Sequence, residues 1–252
     1  IWLNRGKESL VLDIKDADDI ALLHRIVAKA DVFIQNLAPG AASRAGLGAE
    51  QLHGAYPRLI AVDISGYGHD GAYADMKAYD LLVQADSGLC AVTGRAEGPG
   101  RVGVSVADIA CGMYGYMAVL EALIARERSG AGCVVRTSLF AGMADWMTVP
   151  LLQFDYGGTP PARVGLNHPS IHPYGAYGTK GGNQILIAIQ NEREFARLCA
   201  KVLEHPELPD DPRFATNEAR CNHRAAFDVY IDATFTTLER GELIRRLKGA
   251  GV

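Results

Sequence analysis

The sequence predicts an α/β fold, with a Rossmann-like parallel sheet covered by helices and a smaller α+β second domain. Two observations support this. Short apolar strands alternate with helices over the first half of the chain, and Gly, Pro, His and Asn become frequent from about residue 156. Strand–helix alternation is typical of parallel sheets with crossover helices. We expect a large domain over 1–145, a linker over 146–165 and a small domain over 166–252.

The elements of the large domain follow from the periodicity of the apolar residues. Strands are expected at 9–14, 31–36, 59–65 and 132–138. Helices are expected at 16–30, 49–55, 79–90 and 106–128, with another from the last strand to about 156. The run LIAVDIS at 59–65 is apolar enough for a central parallel strand.

In the small domain, a strand is expected at 183–189 and a helix at 191–203. Two further helices are expected near 218–235 and 236–249. The stretch 156–182 is rich in turn-forming residues, which favours a linker and a functional loop over regular structure.

Composition excludes several classes of function. The net charge of −4 over 252 residues is well mixed and leaves no basic stripe for nucleic acid. The apolar stretches look too short and too interrupted to cross a bilayer, so no membrane partner is expected. Five scattered cysteines favour reduced thiols in a cytoplasmic protein. They form no paired spacing for zinc.

The segment VSVADIACGMYGYMAVLEALIARERSG, residues 104–130, predicts a helix that is built for burial. Large apolar residues recur at helical spacing and are expected to face the core: Ile109, Met113, Tyr116, Leu120 and Leu123. A second stripe of small residues allows another backbone to come close: Cys111, Gly115, Ala118 and Ala122.

One acid, Asp108, lies in the first turn of this helix. It is either a capping residue, because Asp is favoured near unpaired N–H groups, or a nucleophile or acid/base group that faces a ligand. Ligands of open parallel sheets bind beyond the carboxyl ends of the strands. The loops 35–40 and 65–71 and the start of this helix are expected there, which favours the functional interpretation.

The loop NHPSIHPYG carries two histidines four residues apart, His168 and His172. That spacing binds metal on a helix, but the two prolines make this segment a loop. We therefore expect polar contacts to a ligand and no metal site. The sequence also contains no GxxxxGK[ST] phosphate loop, and GxSxG is absent.

Five motifs carry a family resemblance in order and spacing: NRGKESLVLDIK, ADVFIQNLAPGAASRAGLG, PRLIAVDISGYGHDGAYADMKAYDLLVQADSG, RVGVSVADIACGMYG and NHPSIHPYGAYGTKGG. Together they resemble the class III CoA-transferases, the formyl-CoA and carnitine CoA-transferase family. The resemblance implies an interlocked homodimer. Relative to that family, the chain is expected to lack the first strand–helix unit and the C-terminal segment that returns to the large domain.

The resemblance also implies a chemistry. Asp108 matches the family's nucleophile, which forms an aspartyl mixed anhydride and then an aspartyl-CoA thioester, and the helix N-terminus is expected to keep it ionised. The substrates are an acyl-CoA donor and a small carboxylate acceptor, with no metal. Positions that match CoA contacts are Asn4, Arg5, Asn36, Leu37, Ala38, Arg44, Met76, Lys77, Ala78 and Tyr79. QNLAPG departs from the commoner ENFRPG, which puts the adenine-side contacts in doubt.

The acceptor side is implied by other residues. Asp80 holds a position where family members carry an acid near the reaction centre. His168, Ser170 and His172 lie where the family has a mobile glycine run over the active site. Their pattern is most similar to members that act on itaconate, mesaconate or citramalate, which implies a small dicarboxylate acceptor.

Two alternatives stay open. The first is an α-methylacyl-CoA racemase, which needs two acid/base groups. Racemases carry a His before the acid that matches Asp80, whereas this chain has Tyr79, which is a poor substitute at neutral pH. The second alternative is a non-catalytic chain that binds acyl-CoA.

Overall fold

The computed structural model describes residues 2–252. The helices are α1 (Ala17–Val27), α2 (Ala41–Arg44), α3 (Ala49–Ala55), α4 (Asp80–Asp86), α5 (Leu89–Val92), α6 (Val106–Ser129), α7 (Leu139–Trp146), α8 (Thr148–Gly157), α9 (Glu192–Leu198), α10 (Asn217–Asn222), α11 (Arg224–Phe235) and α12 (Arg240–Ala250). The strands are β1 (Val32–Gln35), β2 (Ile60–Ser65), β3 (Gly94–Arg95), β4 (Gly98–Pro99), β5 (Val134–Ser138), β6 (Tyr174–Gly178) and β7 (Gln184–Ala188).

The chain divides into two compact units. The first contains the residues up to Val92 and Gly100–Pro160, and the second contains Thr93–Pro99 and Pro161–Val252. Helix α8 lies inside the stretch that we expected to be a linker, and the division at 145 and 166 stays a prediction.

A parallel sheet forms the centre of the first unit. Its strand order is β1-β2-β5, and all neighbouring strands are parallel. This confirms the predicted parallel sheet with 59–65 as its central strand. Ile60, Ala61 and Val62 on β2 are almost fully buried, because helices cover both faces of such a sheet.

The strand expected at 9–14 does not form. These residues are irregular, and Leu10 and Val11 are exposed. Among the described residues no strand lies beside this stretch, so its N–H and C=O groups have no ladder to join. Apolar content alone therefore gave the wrong prediction here.

Four of the five large apolar residues of α6 that were expected to face the core do not, whereas Leu123 packs against it and the small residues allow a close approach as predicted. Ile109, Met113, Tyr116 and Leu120 are exposed, by 41% to 65%. The small residues face inward instead: a Cβ on Gly115 would lie 3.5 Å from the Thr137 side chain on β5. The small face lets the helix pack closely on neighbouring elements, which leaves the large side chains outside.

Helix α6 is also long and apolar enough to cross a membrane, judged by length and composition alone. The prediction that no stretch reaches this length was wrong. Core helices of soluble proteins meet the same criterion, but they are mostly buried, whereas 28% of the most apolar part of α6 is buried in the structure. Its buried side contacts the β2 and β5 side chains Ile60, Val62 and Val135.

The second unit pairs β6 and β7 in an antiparallel hairpin, with Tyr174 opposite Ala188. Its core contains four fully buried phenylalanines: Phe195, Phe214, Phe227 and Phe235. Strand β6 falls in the stretch 156–182 that we expected to be irregular. Its sequence YGAYG has no alternation of apolar and polar residues, so the pattern that reveals a strand is missing.

Candidate active site

A cavity of about 470 Å³ lies at the carboxyl ends of the parallel strands in the first unit. Its wall contains the end of β1 at Gln35, the end of β2 at Ser65, and Leu139, which directly follows β5. In open parallel sheets this edge is where ligands bind, because the loops that follow the strands meet there. The volume falls within the range of small-molecule sites.

Asp108 lines this cavity from the first turn of α6. Within residues 2–252 its carboxylate has no hydrogen-bond or ion-pair partner. The helix therefore does not use Asp108 as its cap, and both carboxylate oxygens remain available to a ligand. A carboxylate so placed acts as a nucleophile or as a base.

The cap of α6 comes from another helix. Ser105, the residue at the N-cap position, makes no side-chain capping bond. Instead the Ala107 N–H donates to Asp80 Oδ1 over 2.9 Å. Asp80 is absent from the cavity wall, and its side chain is only 10% exposed. The acid that we expected near the reaction centre thus contacts the backbone directly before Asp108.

The environment of Asp108 shifts its titration. Partial burial, and after it the negative charge of Asp80, raise the pKa of Asp108 above its ordinary value. The expectation that the helix N-terminus keeps this carboxylate ionised stays a prediction. Since a more basic carboxylate is a better nucleophile once ionised, the shift suits covalent chemistry.

Most of the predicted CoA contacts meet at this cavity. The wall includes Asn36, Leu37, Ala38, Met76, Lys77, Ala78 and Tyr79. Arg44 is absent from the wall. Its guanidinium lies against Gly40, where an added Cβ would be 2.6 Å from Arg44 Nη1, and Gly40 itself lines the cavity. Asn4 and Arg5 are exposed and are not part of the wall.

A buried polar pair that the sequence did not reveal holds the loop after β1. Asp63, on β2, is 6% exposed and accepts a 2.6 Å hydrogen bond from Gln35 Nε2. Gln35 Oε1 in turn accepts from the Leu37 N–H over 2.8 Å. The pair fixes residues 36–38 at the cavity. Its only signal in the sequence is an acid within an apolar strand.

The predicted acceptor loop lies in the second unit, where polar side chains fasten it. Asn217 Oδ1 accepts from the His172 N–H, and Asn217 Nδ2 donates to the Ser170 carbonyl over 2.8 Å. Arg220 Nε donates to the His172 carbonyl over 2.8 Å, and Arg224 donates to the Pro169 carbonyl over 3.0 Å. Helices α10 and α11 thus hold the loop backbone in one conformation.

The two histidines of this loop differ in their placement. The ring of His168 stacks on Tyr174 with 5.1 Å between centroids, and His168 Nδ1 accepts from the Ser170 N–H. His172 is 2% exposed, and its Nε2 lies 3.4 Å from Asp228 Oδ1. Burial, with help from the nearby arginines, lowers the pKa of His172 to about 4.

His172 is therefore a neutral, buried side chain at pH 7, contrary to the ligand contact that we expected of it. Its ring is enclosed by residues of its own unit, including Phe227 at 5.8 Å. Within residues 2–252 no group of three or more His, Cys, Asp or Glu side chains is arranged to hold a metal ion. The expected absence of a metal stays a prediction.

Known proteins similar to this chain were found by sequence and by structure. A family model described as CoA-transferase family III matches residues 1–252. The succinate–glutarate CoA-transferase of Agrobacterium fabrum is 40% identical over 222 residues, which cover 88% of this chain and 55% of that protein. The succinyl-CoA–D-citramalate CoA-transferase of Chloroflexus aurantiacus is 34% identical over 232 residues, 92% of this chain and 58% of that protein.

A solved structure is similar over the same extent. The crystal structure of a CAIB/BAIF family protein from Brucella suis matches with a TM-score of 0.83 and 36% identity, over 99% of this chain and 66% of that one. The chain spans little more than half the length of the two curated relatives, 55% and 58%.

Replacing Asp80 with Asn is expected to lower the pKa of Asp108, because the substitution removes the negative charge that raises it. The Asn side-chain oxygen still accepts from the Ala107 N–H, but the Asn amide nitrogen replaces the oxygen that accepts from Gln84 Nε2. A titration of the Asp108 carboxyl carbon by NMR measures the shift. Asp155→Asn, an exposed acid on α8, is the matched control. An Asp108 pKa that is equal in both variants contradicts the assignment.

Proposed function

Because the chain belongs to CoA-transferase family III, we propose that it transfers CoA from an acyl-CoA donor to a small dicarboxylate, with Asp108 as the nucleophile. One observation carries this proposal: the Asp108 carboxylate, which has no partner within residues 2–252, faces a cavity whose wall also holds seven of the ten matched CoA contacts. A carboxylate is a weak nucleophile, but covalent catalysis divides one difficult transfer into easier steps.

The reaction proceeds through acyl exchange at Asp108. Its carboxylate oxygen attacks the thioester carbonyl, which forms a mixed anhydride and releases CoA thiolate. The thiolate attacks the aspartyl carbonyl of the anhydride, which forms an enzyme–CoA thioester and releases the donor acid. The acceptor carboxylate then attacks that thioester, and the released thiolate attacks the acceptor carbonyl. Acceptor-CoA leaves and the Asp108 carboxylate is regenerated.

The cavity residues divide between binding and chemistry. Lys77 provides a cation for the phosphates of CoA. The loop 36–38, which Gln35 and Asp63 hold in place, provides backbone groups along the CoA part of the acyl-CoA. The Asp108 carboxylate is the group that reacts, because the first-turn N–H groups of Val106, Ala107 and Ile109 already donate to Val104, Asp80 and Ser105. These roles support the transferase over a bare acyl-CoA binder.

The acceptor in this proposal is a dicarboxylate. The names of the two curated relatives include succinate, glutarate and citramalate, all of which are dicarboxylates. On this chain His168 and Ser170 are the side chains proposed to contact the second carboxylate. His172 holds the loop from within its unit and does not contact the acceptor.

Racemase chemistry is the second candidate. It requires an acid/base pair across the α-carbon. Tyr79 occupies the position of the racemase histidine, and its phenol is 68% exposed at the cavity. No imidazole stands in that place, so the proposal favours transfer. The expected cytoplasmic location stays a prediction.

Incubation with succinyl-CoA is expected to leave a covalent adduct on Asp108. Hydroxylamine converts the adduct to a hydroxamate, and peptide mass spectrometry identifies the modified residue. Asp108→Asn is expected to abolish the adduct and to lower turnover by at least about a thousandfold. Asp155→Asn serves as the control. An unmodified Asp108 in a protein that binds CoA and exchanges the α-deuterium of a branched acyl-CoA would establish the racemase instead.

A panel of acceptor acids tests the substrate class. With succinyl-CoA as donor, kcat/KM is expected to be at least about tenfold higher for glutarate, citramalate and mesaconate than for butyrate, because a polar pocket rejects a ligand that leaves its groups unpaired. His168→Leu is expected to reduce this preference, whereas the donor KM stays the same. Equal use of mono- and dicarboxylates would overturn the dicarboxylate assignment.

The assembly in this proposal is a homodimer. The exposed stripe of α6 is apolar, and large exposed apolar surfaces mark interfaces. Tyr116→Lys, in the middle of the stripe, is expected to shift the protein toward monomers in sedimentation equilibrium. Val229→Lys on α11 replaces an exposed apolar side chain outside the stripe and is the control. A wild-type protein that sediments as a monomer refutes the dimer.

A further inference from the structure

We infer that Gln84 is a positioning residue for Asp108, because its buried amide connects the carboxylate that caps α6 to the segment that leads into that helix. The inference rests on the proposed function and adds to it a residue with no contact to the cavity. Gln84 lies on α4 and is fully buried, at 0% exposure. A buried polar side chain is retained only where its hydrogen bonds are satisfied.

Both ends of the Gln84 amide are satisfied. Gln84 Nε2 donates to Asp80 Oδ2 over 2.8 Å. Gln84 Oε1 accepts from the Val102 N–H over 2.9 Å. The partners fix the orientation of the amide, because a backbone N–H requires an acceptor and a carboxylate requires a donor.

The second oxygen of Asp80 completes the connection. Asp80 Oδ1 accepts from the Ala107 N–H, one residue before Asp108. Asp80 and Gln84 are four residues apart and so lie on one face of α4. A single turn of α4 therefore holds both Val102 and Ala107, the two ends of the segment that enters α6. With these two points fixed, the direction of the first turn and the point from which the Asp108 side chain leaves the backbone are fixed as well.

Other side chains do not replace the glutamine at this site. A Met has a similar volume but leaves the Val102 N–H and one Asp80 oxygen without partners in the interior. A Glu keeps the acceptor for Val102 but brings a second carboxylate to Asp80. The nearby Arg101 is 4.0 Å from Asp80 and half exposed, so it offers little compensation.

The positioning role predicts a loss of rate without a loss of binding. Gln84→Met is expected to slow formation of the Asp108 adduct about ten- to a hundredfold, since small misplacements of a reacting group have effects of that size. The dissociation constant for CoA is expected to stay within about twofold, because the contacts along the cavity wall are kept. Stopped-flow acylation and calorimetric titration measure the two quantities.

Gln84→Glu provides the conservative comparison. At low pH the introduced carboxyl is protonated and again donates to Asp80, whereas at high pH the two carboxylates repel each other. The adduct rate of this variant, divided by the wild-type rate at the same pH, is expected to rise as the pH falls. A purely structural role predicts a ratio that does not change with pH in a protein that stays folded.

Hydrogen exchange separates this inference from the proposed function. In Gln84→Met the amides of Val102 and Ala107 are expected to exchange at least about tenfold faster, because their acceptors are lost or loosened. Asn191→Leu removes the cap of α9 in the second unit and is the matched control: it lowers the melting temperature but leaves these amides and the adduct rate unchanged.

The outcomes are distinct. A wild-type protein that forms no Asp108 adduct overturns the proposed function, and the exchange rates still decide whether Gln84 holds the start of α6. The positioning role is overturned if the wild-type protein forms the adduct and both Gln84 variants keep the wild-type rate of adduct formation and the wild-type amide exchange. If Gln84→Met does not fold, the pH dependence of Gln84→Glu decides in its place.

Discussion

The hydrogen bond from the Ala107 N–H to the carboxylate of Asp80 determines what Asp108 can do. A helix begins with unpaired N–H groups, and an acid in the first turn ordinarily satisfies one of them. Here an acid from α4 satisfies that need. Asp108 consequently has no partner within residues 2–252, and its carboxylate at the cavity is available to a ligand. Burial, and after it the charge of the same neighbour, raise the pKa of Asp108, so Asp80 contributes to both geometry and reactivity.

The parallel sheet supplies the second condition. Because β1, β2 and β5 are parallel, the segments that follow them meet at one edge, and the cavity forms there. Helix α6 reaches this edge because its small face packs closely beside β5, as the approach of Gly115 to Thr137 shows. Large side chains on that face would hold the helix away from the strand. Because the small residues of α6 face β5, its large apolar side chains form the exposed stripe.

The loop 168–172 in the second unit contains His172, whose role differs from the ligand contact that the sequence predicted. Arg220, Arg224 and Asn217 bind its carbonyl and N–H groups, and His172 turns into the unit. Burial beside two arginines keeps that imidazole neutral. The local sequence around a histidine does not show whether it anchors a loop or contacts a ligand. The two cases differ in the residues that are distant in the sequence but surround the side chain in the fold.

The sequence by itself determined the parallel order of the strands, the central position of 59–65, the family, and the place of Asp108 at the start of a helix. Each of these depends on local periodicity or on a contiguous motif. Only the tertiary structure decided which face of α6 is buried and which residue caps it. Gln84 and Val102 are 18 residues apart, and Asp80 and Ala107 are 27 apart. Contacts across such separations leave no local pattern, because they exist only once the helices have packed.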